Sequence, residues 1–147
     1  MSARLWDSAP ESAWVMNEMR RDTSQLRDND SLFVSFDTFH DQRNAVVFYT
    51  NPIGAIGDFA VTNEGNPNSD WNPVWDVRTA RFAGGWSVEM EIPFKSLRYR
   101  RDLQKQSIST ISLLMRLIRK IDFEHEQYSN HMGCQSKIIL CEDFYLP

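Results

Sequence analysis

The segment from Ala83 to Ile92 constrains the fold more than any other part of the chain. Ala83-Gly84-Gly85 is a turn signal, and behind it Trp86, Val88, Met90 and Ile92 alternate with Ser87, Glu89 and Glu91. Period-two alternation puts the four apolar side chains on one face of a strand and the polar ones on the other. A helix would scatter both sets around its axis. Residues 74–82, before the turn, are also strand-like, so the two arms read as a β-hairpin. Its apolar face needs a second layer to cover it.

The rest of the chain supplies candidates for that layer. Leu32, Val34 and Phe36 alternate with Phe33, Ser35 and Asp37, which spells a strand. Residues 44–50 are rich in β-branched and aromatic side chains and read as another, joined to the first by a polar connection at 38–43. Asn51-Pro52-Ile53-Gly54 marks a turn, and residues 58–62 a short third strand. Residues 108–118 are apolar and fit helix or strand by period, with Ser109, Thr110 and Ser112 favouring strand. Ser8-Ala9-Pro10-Glu11 reads as a capping-box-like start of a short helical turn, and the following AWVMNEMRRD fits either type. Short strands separated by turns every 8–12 residues or so indicate an all-β antiparallel sandwich, with jelly-roll or immunoglobulin-like layers. The sandwich is expected over residues 1–120, followed by a divergent tail over 121–147.

Composition narrows the function classes. With 41% hydrophobic residues, five Trp and nine Phe, the chain can bury a core, and its size suits one domain. A net charge of −4 leaves no electrostatic footprint for nucleic acid. Arg20-Arg21, Arg98-Tyr99-Arg100-Arg101 and Arg119-Lys120 are short basic clusters that read as solvated surface. The start, MSARLWDSAP, lacks the apolar core of a signal peptide, and no apolar run reaches membrane-spanning length. Cys134 and Cys141 do not amount to a disulfide framework and read as free thiols.

Chemistry concentrates in the loop at 63–73, which holds four Asn, two Pro and one Gly and runs into Trp71 and Trp75. Indole rings stack on the apolar faces of sugars, while amides and carboxylates bind hydroxyls. Trp71, between Asp70 and Asn72, suits binding. Trp75 suits either binding or the core. Asn66, Asn68 and Asp70 could bind hydroxyls, ligate calcium, or satisfy the loop's own backbone. Arg43 could donate to a sugar hydroxyl or simply be solvated.

Other clusters are weaker. Asp28, Asn29 and Asp30 could hold a hard cation but lack the EF-hand spacing, and a solvated turn is the first reading of them. Glu89 and Glu91 would lie roughly 6.5–7 Å apart along a strand. That is compatible with the carboxylate spacing of a glycosidase, though such pairs face each other across a cleft. His125, His131, Cys134 and Cys141 lack the spacing of a zinc motif.

From about Leu5 to Arg119 the chain resembles the family 9 carbohydrate-binding module superfamily. It is most similar to the version at the N-terminus of large bacterial secreted or outer-membrane-associated proteins. The matching blocks are Trp6-Asp7-Ser8, Arg20-Arg21-Asp22, residues 36–45 (FDTFHDQRNA), Thr50-Asn51-Pro52-Ile53-Gly54, the 63–75 loop, and residues 85–97 (GWSVEMEIPFKSL). The resemblance implies a β-sandwich that binds glycans without cleaving them, with tryptophans clamping a sugar ring and calcium ions helping to hold the loops. It implies a setting outside the cytoplasm, in a longer chain carrying a hydrolase or a membrane barrel. The family has early strands before Trp6, so the sandwich here is expected to be incomplete. The alternatives are a glycoside hydrolase acting through Glu89 and Glu91, and a structural module docked on a downstream outer-membrane barrel.

Overall fold

The computed structural model describes residues 1–39 and 41–98 and the backbone of 107–114 and 138–141. It is all-β. Eight strands run in chain order: β1 Ser2–Trp6, β2 Ser31–Asp37, β3 Ala45–Thr50, β4 Ile56–Val61, β5 Asp76–Phe82, β6 Gly85–Glu91, β7 Ser107–Leu114 and β8 Ile138–Cys141. They form two antiparallel sheets of order β5-β6-β1-β8 and β4-β3-β2-β7.

The alternation in β6 does what period two demands. Trp86, Val88 and Met90 are buried, while Glu89 and Glu91 face solvent. They meet Ala3 and Leu5 of β1 and, from the other sheet, Leu32, Val34, Phe36 and Phe48. This shared cluster is the interior of the sandwich, and its burial is the main stabilising term. The β5–β6 hairpin turns at Ala83-Gly84, where Gly84 has φ +86, a conformation that disfavours any side chain.

The strand expected at 58–62 begins two residues earlier, at Ile56, and pairs with β3 through the register Phe48↔Asp58 and Tyr49↔Gly57. The capping box expected at Ser8 is absent. Asp7 Oδ1 accepts from Ala9 N–H at 2.7 Å, and a short 3-10 turn at Glu11–Ala13 follows without a side-chain cap. The segment after it, ambiguous in sequence, is neither helix nor strand. Asp30 N–H donates to Val15 O while Val15 N–H donates to the Asp30 side chain, and Asn51 Nδ2 donates to Glu18 O at 2.8 Å, so side chains replace a ladder there. Two elements had no sequence expectation. β1 lies between β6 and β8, and β8 falls within the expected tail yet pairs with β1. The described part of the 108–118 run is β7, alongside β2 with a bulge between Ser35 and Phe36.

Sheet edges decide where the loops lie. β4 is the outer strand of its sheet, and an open edge is a template for unwanted pairing. The 63–75 loop closes it: Ala60 and Asn68 exchange both backbone bonds, at 3.0 and 2.7 Å.

Candidate functional site

The loop leaves β4 through a tight turn at Thr62–Gly65, with Asn63 and Glu64 both at positive φ and Gly65 N–H donating to Thr62 O. Positive φ at both central positions is the pattern of a type I′ turn. The turn is tied to the β2–β3 connection. Glu64 N–H donates to Arg43 O at 2.8 Å, Arg43 Nε donates to Glu64 Oε1 at 3.2 Å, and Asn63 N–H donates to Asn44 Oδ1. Asp41, which accepts from the N–H groups of Arg43 and Asn44, is held below its ordinary pKa by those bonds. Asn66, Asn68 and Asp70 are exposed along the loop, and Asn68 Oδ1 accepts from Asp70 N–H at 3.0 Å. One of the three candidate side chains therefore serves the loop backbone.

The two tryptophans part company. Trp71 is half-buried, edge-to-face on Phe48 with ring centroids 5.6 Å apart, and keeps part of its ring in solvent. Trp75 is 6% exposed and stands edge-to-face on Phe48 at 5.1 Å. It is a core residue, with no free ring face for a sugar. Arg43 meets the loop at Glu64, while Asn66 to Trp71 follow one another on the same exposed stretch.

Beneath the loop lies a polar centre that sequence reading overlooked. Asp58 on β4 is fully buried. Its Oδ2 accepts from Trp75 Nε1–H at 2.9 Å and from Arg21 Nη2 at 2.7 Å. Arg21 Nη2 also donates to Pro73 O at 3.0 Å. Asp22, at φ 57, donates its N–H to Ile56 O and accepts from Asp58 N–H through Oδ1. Burial raises the Asp58 pKa, and the Asp22 carboxylate pushes the same way; the Trp75 and Arg21 bonds oppose them. Arg21 is thus no member of a merely solvated basic pair. The available signal was an aspartate inside the apolar run at 56–61, which cannot be buried without partners.

Two of the three cation candidates, Asn29 and Asp30, turn inward. Asn29 Oδ1 accepts from Glu18 N–H and Asn51 Nδ2, and Asp30 Oδ2 accepts from Val15 N–H. These oxygens serve the protein, and Asp28 is the exposed member of the trio. Among the described residues no group of three or more His, Cys, Asp or Glu side chains is placed to hold a metal. Glu89 and Glu91 project from one face of β6, opposite Arg78 and Asp76 respectively, rather than across a cleft from each other. His125, His131 and Cys134 lie outside the described residues, as does the side chain of Cys141. No described helix is long and apolar enough to cross a membrane.

No family model, curated protein or solved structure matches the chain.

Proposed function

We propose that the chain is a non-catalytic glycan-binding module, with Trp71 as the stacking residue. The reading is supported chiefly by one observation: an indole ring, partly exposed, is held on Phe48 within a loop whose exposed side chains include Asn66, Asn68, Asp70 and Asn72. A rigidly seated aromatic flanked by amides and carboxylates suits a sugar ring and its hydroxyls. Asn66, Asp70 and the free amide of Asn68 supply hydrogen bonds, and Arg43 contributes from the neighbouring hairpin. Trp75 acts from below, as support. The partner is a polysaccharide or oligosaccharide outside the cytoplasm, and the module serves carbohydrate breakdown as part of a longer protein.

The test is binding to a panel of soluble oligosaccharides and insoluble polysaccharides, with Trp71→Ala beside the wild type. Saturable binding that the substitution abolishes supports the proposal. Binding that survives it moves the site elsewhere. Glu89→Gln with Glu91→Gln leaves binding unchanged on this reading, whereas a glycosidase would lose turnover.

One observation favours a second reading, docking on a membrane barrel. Val74 is 71% and Phe94 41% exposed, and the Val74 backbone carbonyl accepts from Ser96 Oγ at 2.7 Å, which ties the segments carrying these two apolar side chains together. On that reading a folded chain binds no glycan and Val74→Asp abolishes association with the barrel domain.

A further inference from the structure

We propose that Asp58 is a positioning residue for the tryptophan loop, and that taking up a proton on its Oδ1 releases the loop and weakens ligand binding at Trp71. The proposal rests on the glycan-binding reading for its functional half only.

Three segments distant in sequence converge on one carboxylate. Asp58 belongs to β4, Arg21 to the turn preceding the 3-10 segment Ser24–Asp28, and Trp75 to the loop. Oδ2 takes both donors, the indole N–H and the guanidinium, and the same guanidinium nitrogen reaches Pro73 O. Residues 73 and 75 are therefore pinned to β4 through a single oxygen atom and a single arginine. Trp71 lies two residues before Pro73 and rests on Phe48, the residue opposite Asp58 in the β3–β4 register. A change at Asp58 has a short path to it.

Oδ1 has a different status. It is buried and has no hydrogen-bond partner among the described residues. A buried carboxylate oxygen with no donor is costly while it carries charge. It is also the free position for a proton, because Oδ2 is already occupied. The step is simple: solvent supplies H⁺, an O–H bond forms at Oδ1, and the side chain becomes neutral. The Trp75 bond then becomes a neutral one, roughly half as strong, and Arg21 loses Asp58 as an ion-pair partner while the guanidinium stays charged.

The surrounding charges fit this switch. Asp22 faces Asp58 from the turn and favours its protonation, and Arg21 opposes it. On β3, Tyr49 lies within electrostatic reach, with the Arg27 guanidinium over its ring at 5.8 Å. Burial dominates this set and places the transition above that of an exposed aspartate.

The experiment follows the indole Nε1–H resonance of Trp75 by NMR in the ligand-free chain, between about pH 3.5 and 7.5. Trp75→Phe identifies the resonance by deleting it. The resonance is expected to titrate with a midpoint above that of an exposed aspartate and to stop titrating in Asp58→Asn. Arg21→Gln, which keeps the carboxylate, is expected to move the midpoint upward and serves if Asp58→Asn fails to fold. A flat resonance, titration unchanged in Asp58→Asn, or a midpoint unmoved in Arg21→Gln overturns the proposal. A second arm measures affinity for linear hexasaccharides (cellohexaose, xylohexaose and mannohexaose) across the same range. Binding is expected to weaken about three- to tenfold through the Trp75 midpoint. Binding that stays constant through that midpoint overturns the functional half. A titrating Trp75 in a chain that binds no sugar refutes the glycan reading and leaves the proton-sensitive hold intact; sugar binding with a flat Trp75 does the reverse.

Discussion

A buried indole N–H and a buried carboxylate oxygen are each expensive alone, and Trp75 and Asp58 remove much of that cost for each other. Trp75→Phe keeps an aromatic ring against Phe48 and deletes only the donor. It is expected to cost about 1–3 kcal/mol, read from the denaturant midpoint. Trp75→Ala also opens a cavity and is expected to cost about 3–5 kcal/mol. Trp71→Ala, on a half-buried ring, is expected to cost about 1–2 kcal/mol, so its effect on binding is separable from unfolding. The two tryptophans thus give opposite signatures: one large in stability, the other large in affinity. Acid behaviour is set by single residues too. Bonds from the Arg20 side chain and backbone pull the Glu18 pKa from 4.5 to about 2. A lowered carboxylate pKa adds stability that is present above 4.5 and lost as pH falls toward 2. The Tm difference between wild type and Glu18→Gln is expected to shrink over that interval. Asp58 has the opposite sign. Its raised pKa means the folded state holds the extra proton, so its contribution falls as pH rises from the ordinary aspartate range through the folded value.

Among the elements, β1 carries more than its five residues suggest. It is an interior strand of its sheet, paired Leu5↔Trp86 on one side and Leu5↔Ile138 on the other, and its Ala3 and Leu5 are core residues. Removing residues 1–6 is expected to abolish cooperative unfolding, as judged by circular dichroism on heating. β3 and β4 share a tight spot. A Cβ at Gly57 would lie 2.2 Å from the Tyr49 ring, which itself stacks on Phe33 with centroids 4.7 Å apart. Gly57→Ala must therefore displace a packed ring, at an expected cost of about 1–3 kcal/mol in chemical denaturation. The strands at 31–37, 45–50, 76–82 and 85–91 were legible because alternation and β-branched runs are local signals. β1 was not, since SARLW is too short for a period to register. Nor was the extended segment after Ala13, whose hydrogen bonds are made by Asn29, Asp30 and Asn51 from elsewhere in the chain. Local patterning carries no trace of partners that distant.

Seen as a whole, the molecule is two antiparallel sheets with a shared aromatic core, and its polar centres sit where loops join that core. The candidate site follows the same division. Trp71 and its Asn and Asp neighbours could be picked out in sequence, because polar loops carrying aromatics are conspicuous. That Trp75 would be internal, and that Arg21 would cross 37 positions to reach Asp58, depended on tertiary contacts. The glycan ligand class is a proposal, and the loop supplies a residue on which it can be tested. The most direct measurement is isothermal titration of wild-type chain and Trp71→Ala with the glycan panel, both shown folded by circular dichroism. The account expects saturable binding by the wild type and a loss of about five- to 150-fold in the variant, taking a sugar ring on one indole as comparable to a base stacked on an aromatic side chain, roughly 1–3 kcal/mol. Equal affinity in the two folded proteins, or no binding by either, would contradict it.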